Sequence, residues 1–375
     1  MMIRTFHSVG QGAFYTEEFD KFRFVYDCGT DTGGKKRIEN YVKNHFKENE
    51  VIDYLFISHF HRDHINGLEY LFSKLKVKRV FIPQYDVYEH AIDFMHTDWN
   101  LNSFDTKLTI DPIGTINSIS PETKIILVKK HPQIDERDER DERDERDDEI
   151  EGTNINTLNN GDSINSGERL QSCIPDWVFI PVNYNNISNS VTFRNHLNKL
   201  NIRFNTANDF ITSWKNTKKR KNIKDAFKSI PKNQNENSMV VYSGPRMNSN
   251  KYSLRMFRDT DCHCHCPFNY KLFNTNAGCI YFGDYETHDK AWSTIKSALN
   301  KHYDLAGVIQ IPHHGSSENY RNEIIKNNIY SVISYGTTNT HGHPGSFTTT
   351  SIVKNHSILL GVTENPSTRL YFVVR

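Results

Sequence analysis

Apolar and polar positions alternate over "MIRTFHSV" and again over "FRFVYDCG", and this period of two predicts strands on either side of a glycine-containing "VGQG" bend. Ile38, Tyr41, Val42 and Phe46 then recur at helical spacing within "KRIENYVKNHFKEN". The apolar run "VIDYLFIS" predicts a buried strand and ends where a cluster of histidines begins. Beyond that cluster, "GLEYLFSKL" reads as a helix and "KRVFIPQY" as the next strand. From about residue 86 to residue 176 the pattern loosens. "PDWVFIPV" resumes a buried strand, and "SVTFRNHLNKLNIRF" through "DAFKSIPKNQNEN" predicts a largely helical insertion rich in asparagine and lysine. Strands return with "SMVVYSG" and "AGCIYFGD", followed by a helix near "HDKAWSTIKSALNKHY" and a strand ending in "LAGVIQIPHHG". A helix near "YRNEIIKNN", a strand "YSVISYG" and a final strand "RLYFVVR" complete the chain. Strand and helix patterns recur over the full length, which predicts one α/β domain over residues 1–375 with insertions at about 130–152 and 184–236.

Composition narrows the class. At 375 residues the chain can bury a sizeable core, and its 12% aromatic content fits a folded globular protein. "MMIRTFHSVGQG" lacks the apolar run of a secretory signal, and no stretch of about 18 apolar residues predicts a membrane span. Cys28, Cys173, Cys262, Cys264, Cys266 and Cys279 do not form the spaced framework of a small secreted domain, so a reducing cytoplasm is the expected location. The net charge of +1 conceals an asymmetry: Asp135 to Glu149, "DERDERDERDERDDE", carries −7 and the remainder +8. The repeat is expected to be an exposed flexible insertion, and the basic remainder is compatible with a polyanionic substrate.

The candidate chemistry lies in His59-Phe60-His61-Arg62-Asp63-His64. Imidazole nitrogens and carboxylate oxygens are good ligands for zinc and similar divalent ions. Four candidate ligands in six residues exceed what one ion takes from a single loop, so the spacing suggests two ions side by side, each completed from elsewhere in the chain. A histidine-rich surface turn would explain neither the strongly apolar strand before the loop nor the glycine after it. Two such ions about 3.5–4 Å apart can share a hydroxide, lower its proton affinity and stabilise charge on a leaving oxygen, which points to hydrolysis.

At these residues the sequence resembles the metallo-β-lactamase superfamily, whose hallmark is His-x-His-x-Asp-His after a buried strand. "SVGQGAF", "FVYDCG", "NENSMVVYS", "CIYFGD", "IPHHGSS" and "HGHPG" follow the order of the branch that includes the hydrolase domain of ComEC-type competence proteins and the phosphorylcholine esterases. The resemblance covers nearly the whole chain apart from the acidic repeat and the two insertions. It implies an αββα sandwich and two divalent metal ions, Zn2+ or Mn2+. It also implies that His59 and His61 bind one ion, that Asp63 and His64 bind the other, and that Asp284 bridges them. One of His313 and His314 completes the first site, and strand alternation would send the other to the opposite face, either toward substrate as a proton donor or to the surface. His343 completes the second site in preference to His341, and Asp27 orients a ligand from behind. An aspartate at 284 rather than a cysteine fits phosphoesterase-like relatives better than zinc β-lactamases. His61 argues against the redox relatives of the fold, which carry glutamate there.

Substrate clues are thinner. "SWKNTKKRKNIKDAFK" places Lys215, Lys218, Lys219, Arg220, Lys221 and Lys224 around Trp214, an arrangement that suits a nucleic-acid backbone with a stacking surface, or simply a solvated helix face. The ComEC-type resemblance favours nucleic acid, while the absence of a membrane channel argues against DNA uptake. Cys262, Cys264 and Cys266 in "DCHCHCP" would share one face of an extended segment, but the usual Cys-x2-Cys spacing and a fourth ligand are missing, so a reduced hairpin tip is expected. The insertions also offer surfaces for a protein partner. The expected activity is that of a phosphodiesterase or nuclease; a small-phosphoester hydrolase and a non-catalytic binding module are the alternatives.

Overall fold

The computed structural model describes residues 1–131, 152–184, 188–230, 238–247, 252–258, 276–287 and 289–375. The acidic repeat and Cys262, Cys264 and Cys266 lie outside the described residues.

Among the described residues, two sheets stack face to face. The first contains β1 (Met2–Phe6), β2 (Phe14–Phe19), β3 (Phe22–Cys28), β4 (Val51–Phe56), β5 (Lys76–Pro83), β6 (Lys124–Val128), β7 (Ser163–Ile164), β10 (Leu254–Arg258) and β15 (Leu370–Val374). Its order is β10-β15-β1-β2-β3-β4-β5-β6-β7. The second contains β8 (Trp177–Val182), β9 (Val240–Pro245), β11 (Gly278–Tyr281), β12 (Ala306–Gln310), β13 (Tyr330–Ser334) and β14 (Ile358–Val362), in the order β14-β13-β12-β11-β9-β8. Twelve helices accompany them: α1 (Gly34–His45), α2 (Arg62–Ile65), α3 (Leu68–Lys74), α4 (Val87–Phe94), α5 (Phe104–Ile110) and α6 (Pro112–Ile119), then α7 (Ser188–Lys199), α8 (Ala207–Lys215), α9 (Thr217–Lys228), α10 (Asp289–Leu299), α11 (Lys301–Asp304) and α12 (Ser346–Lys354).

Alternation along the strands builds the layers. Phe24, Tyr26, Tyr54, Phe56, Cys279 and Tyr281 point into the core between the sheets. Val25, Leu55 and Ile57 point outward, where Ile38, Val42, Leu68, Leu71, Leu108 and Ile116 of α1, α3, α5 and α6 cover them. On the far side, Ile280 and Phe282 meet Ala291, Ile295 and Ile352 of α10 and α12. The result is the metallo-β-lactamase-like αββα sandwich. A fourth cluster, outside these layers, joins α4 to α7, α8 and α9 through Phe94, Phe193, Phe210, Trp214 and Ile223.

The structure departs from the sequence expectations in several places. β2 is a full strand within the stretch read as bend and connection. Its Glu17 is fully buried, made tolerable by Arg4 at 2.7 Å, so polar residues face inward and weaken the apolar signal. The loosely patterned stretch from 86 to 176 contains α4, α5, α6, β6 and β7, all short, which leaves little length for a period to show. "YRNEIIKNN" forms only a single 3-10 turn, Asn322–Ile324. The "IPHHG" strand stops at Gln310, and the two histidines fall in a turn instead.

Candidate metal centre

The histidine loop leaves the end of β4 in extended conformation and then turns. Ile57 N–H still bonds to Phe81 of β5 at 3.0 Å, so the pairing of β4 continues to the edge of the loop. Phe60 is fully buried against Tyr85 and His90, while His59 and His61 stand side by side with ring centroids 4.5 Å apart. α2 then begins, and its first turn presents Asp63 and His64 in succession. Two glycines let the chain press against this turn. A Cβ on Gly12, whose φ is +153°, would lie 2.7 Å from the Asp63 carbonyl oxygen, and one on Gly29 would lie 2.6 Å from the backbone of Asp63 and His64.

Buried partners set the orientation of each imidazole. Asp27, in left-handed backbone conformation at φ 55°, accepts from Ser58 N–H and Ser58 Oγ at 2.7 Å each and from His64 Nδ1 at 2.7 Å. Because the Ser58 hydroxyl donates to Asp27, it accepts from His59 Nδ1 at 2.9 Å; Ser238 Oγ lies 3.0 Å from the same nitrogen. Ser238 also accepts from the Asp284 N–H at 2.9 Å, which ties β9 to the loop that carries Asp284. His314 Nδ1 donates to the Ser334 carbonyl at 2.9 Å. In each case Nδ1 is the anchored nitrogen and Nε2 is turned toward the cluster, the tautomer a metal-binding histidine requires.

Those Nε2 atoms converge on two carboxylates. Asp284 Oδ1 lies 3.2 Å from His64 Nε2 and 3.6 Å from His314 Nε2, while Asp284 Oδ2 lies 4.0 Å from both His59 Nε2 and His313 Nε2. Asp63 Oδ2 is 3.1 Å from His314 Nε2 and 3.8 Å from His64 Nε2. Asp63, His64, Asp284 and His314 each offer a ligand atom, all within 4.8 Å of one another. Asp284 therefore divides the cluster, one oxygen toward each group of histidines.

The electrostatics are those of a site built around positive charge. Burial opposes a charge on His64, yet Asp284, Asp63 and Asp27 together hold its pKa well above the usual histidine value. Burial also opposes a charge on Asp284, but His64, His314 and His313 hold its pKa well below the carboxylate range. Burial and the neighbouring His64 hold His59 neutral, well below the ordinary value. His59 Nε2 is buried without a hydrogen bond. Ligand atoms around a tetrahedral zinc with bonds of about 2.0–2.1 Å stand about 3.3 Å apart, comparable to the 3.1–3.8 Å between the carboxylate oxygens and imidazole nitrogens of Asp63, His64, Asp284 and His314. The residues present thus fit a divalent cation.

Three sequence expectations are placed differently. His313 and His314 do not take opposite faces: both lie in a turn at φ 49° and 52°, where alternation no longer applies, and both Nε2 atoms approach Asp284. His314, not His343, stands with Asp63 and His64. The half-buried His343 ring lies 5.5 Å from His313 and 6.3 Å from His314, and burial followed by the charge of His313 lowers its pKa to about 4. Trp214 is 3% exposed and packs on Phe94 and Phe210, so it offers no stacking surface. Lys218, Lys219 and Lys221 are exposed on α9, and Arg220 is half-buried. His341 is exposed and stacks on His343 at 5.6 Å.

The sequence reading missed Ser58, Ser238 and the exposed His96, whose ring stands 4.9 Å from His61. "NENSMVVYS" marked the segment of Ser238, but a serine carries no ligand signal of its own.

Residues 14–154, somewhat over a third of the chain, match the family model of the metallo-beta-lactamase superfamily. The match takes in the His59–His64 loop and ends before Asp284, His313, His314 and His343. Among solved structures, the chain is similar to human tRNase Z, short form, at 9% identity over 100% of this chain and 98% of that one, with a TM-score of 0.39. It is also similar to a diphosphatase of the PhnP family, at 8% identity over 88% of this chain and 85% of that one, with a TM-score of 0.35. No curated protein matches. The family match over the histidine loop and the carboxylate and imidazole cluster beside it point to a site that could hold a divalent metal ion. Among the described residues, no helix is long and apolar enough to cross a membrane.

Proposed function

We propose that this protein is a phosphodiesterase that holds two divalent cations, zinc or manganese, and takes nucleic acid as its substrate. The observation that carries the reading is Asp284, whose two carboxylate oxygens face two separate groups of histidine Nε2 atoms. His59, His61 and His313 would hold one cation, with His343 beside them; Asp63, His64 and His314 would hold the other, with Asp284 shared. When bound, such a pair supplies Lewis acidity at a phosphoryl oxygen and lowers the proton affinity of water.

The chain's own residues prepare that chemistry. Asp27 and Ser58 fix His64 and His59 with Nε2 inward, and Ser334 does the same for His314. Asp284 and Asp63 face His64 Nε2 at 3.2 and 3.8 Å, carboxylates that would offset the charge of a cation held there. The order of motifs shared with the ComEC-type branch, together with the exposed cations of α9, supports nucleic acid. A hydrolase of small phosphoesters is the second reading, favoured by the burial of Trp214.

Digestion of labelled single- and double-stranded DNA and RNA with zinc or manganese, beside a chromogenic phosphodiester and an Asp63→Ala, His64→Ala variant, tests the proposal. Cleavage of a polynucleotide that disappears in the variant is expected. Cleavage of the small ester alone would transfer the assignment to the second reading, and cleavage of neither would remove the catalytic one.

A further inference from the structure

We propose that the face formed by Trp99 and the cationic side of α9 is the track along which a single-stranded nucleic acid reaches the metal centre. This inference rests on the nucleic-acid reading above and identifies where the strand lies.

Three observations meet on that face. The first is charge. Lys218, Lys219, Arg220 and Lys221 occupy the start of α9, whose first turn has no acidic residue, and none of the four has an ion-pair partner among the described residues. Cations at this end of a helix oppose its dipole, so the arrangement costs stability in isolation and suits a polyanion laid across it. The neighbouring acids are few: Asp225 is paired with Lys228 at 3.6 Å, and Asp98 accepts from Asn100 N–H at 3.0 Å.

The second is an aromatic surface. Trp99 is 43% exposed, in contrast to Trp214 beneath it at 5.9 Å. Its indole Nε1 donates to the Met95 carbonyl at 3.3 Å, which fixes the ring, and Lys224 Nζ lies 3.6 Å from the ring centroid. A held, half-exposed indole that carries a cation over one face combines an aromatic surface with a charge for the backbone, a pairing that suits an unpaired strand, whereas a duplex hides its base faces.

The third is continuity with the metal centre. Phe227, one turn beyond Lys224 on α9, meets the His96 ring at 5.4 Å, and His96 meets His61 at 4.9 Å. The far end of α9 therefore reaches the histidine loop through His96, and its cations at Lys218 to Lys221 lie about 9–14 Å from Phe227 along the helix axis.

The test is fluorescence anisotropy with the metal-loaded full chain and labelled 15-mers of phosphorothioate oligothymidylate and oligouridylate, beside a 15-base-pair duplex, from 50 to 200 mM salt. Trp99→Ala is expected to weaken binding of the single strands about 5- to 150-fold, the range for loss of one stacked base, while Trp99→Phe retains it. Replacing Lys218, Lys219, Arg220 and Lys221 with glutamine is expected to reduce the slope of log affinity against log salt by up to about 3. The same charge change at the exposed Lys21, Lys36, Lys43 and Lys354 leaves the slope intact. Unaltered binding by Trp99→Ala, or equal slope loss in the two lysine sets, overturns the track while the nucleic-acid reading stands. A wild-type chain that binds none of the oligonucleotides overturns both. The two single strands, compared with each other, report whether DNA or RNA is preferred.

Discussion

Two of the buried polar clusters among the described residues are finished differently. At one, Arg4 and Glu17 are fully buried: Arg4 Nε bonds Glu17 at 2.7 Å, and its other nitrogens donate to the carbonyls of Ala277 at 3.0 Å and Ser243 at 3.3 Å. Glu17 in turn accepts from Tyr281 at 2.9 Å and from Ser243 Oγ at 2.5 Å. At the other, His59 Nε2 is equally buried and has no hydrogen bond, while His64 Nε2 faces the Asp284 carboxylate at 3.2 Å. A folded chain rarely leaves such atoms unsatisfied without a reason, and the satisfied pair shows that this chain can complete a buried network when structure is its purpose. The second cluster, with imidazoles and carboxylates converging, is the one that could hold an ion.

That contrast can be broken at several points. The largest effect is expected from Asp284→Ala, which removes the carboxylate shared by both histidine groups. Hydrolysis should fall by on the order of a thousandfold or more, with lost metal content by elemental analysis, while the protein stays folded. An active, metal-replete variant would refute the assignment of Asp284. The opposite pattern is expected at the satisfied pair. Arg4→Met strands a buried carboxylate and should cost about 3–5 kcal/mol in denaturant unfolding, whereas Arg4→Met with Glu17→Leu should recover most of that loss.

Asp27→Asn tests the support beneath the cluster. The variant keeps the shape but weakens the bond that holds the His64 tautomer, so metal affinity or turnover should drop about 10- to 100-fold with little change in unfolding. A change in stability alone would place Asp27 with the structural pair. The last effect is confined to a pH window and belongs to Asp93, a half-buried carboxyl whose Oδ2 has no hydrogen bond. Burial, followed by the nearby Glu89, raises its pKa to about 8. The folded state therefore holds this proton more tightly than the unfolded chain does, and the associated stability is present below about pH 4 and lost as pH rises toward 8. Asp93→Asn should flatten the stability profile over that window, by less than about 1.4 kcal/mol per pH unit. An unchanged profile would show that the carboxyl is not shifted.

The candidate metal loop was legible because its imidazoles and carboxylate are contiguous: His59, His61, Asp63 and His64 fall within six residues after an apolar strand. Asp284 was legible by motif order alone, since an aspartate after a strand is common. The serines were not. Ser58 and Ser238 are 180 residues apart in the chain yet meet at one nitrogen of His59, and nothing local in either marks a hydrogen bond that the sheet packing creates. The misplacement of Trp214 has a similar cause. A tryptophan among lysines reads as exposed, but contacts with Phe94 from a distant helix bury it, and the exposed indole is Trp99, from a stretch with little pattern.

By itself the sequence determined the layers, because a period of two or of 3.6 sets which side chains share a face before any long-range contact forms. It also determined which residues are candidate ligands, because imidazole and carboxylate chemistry is fixed by residue type. Only the tertiary structure decided which histidines stand together. His313 and His314 left the strand for a left-handed turn, so the φ values of two residues, set by packing around Gly315 and β13, replaced the alternation that local pattern implies.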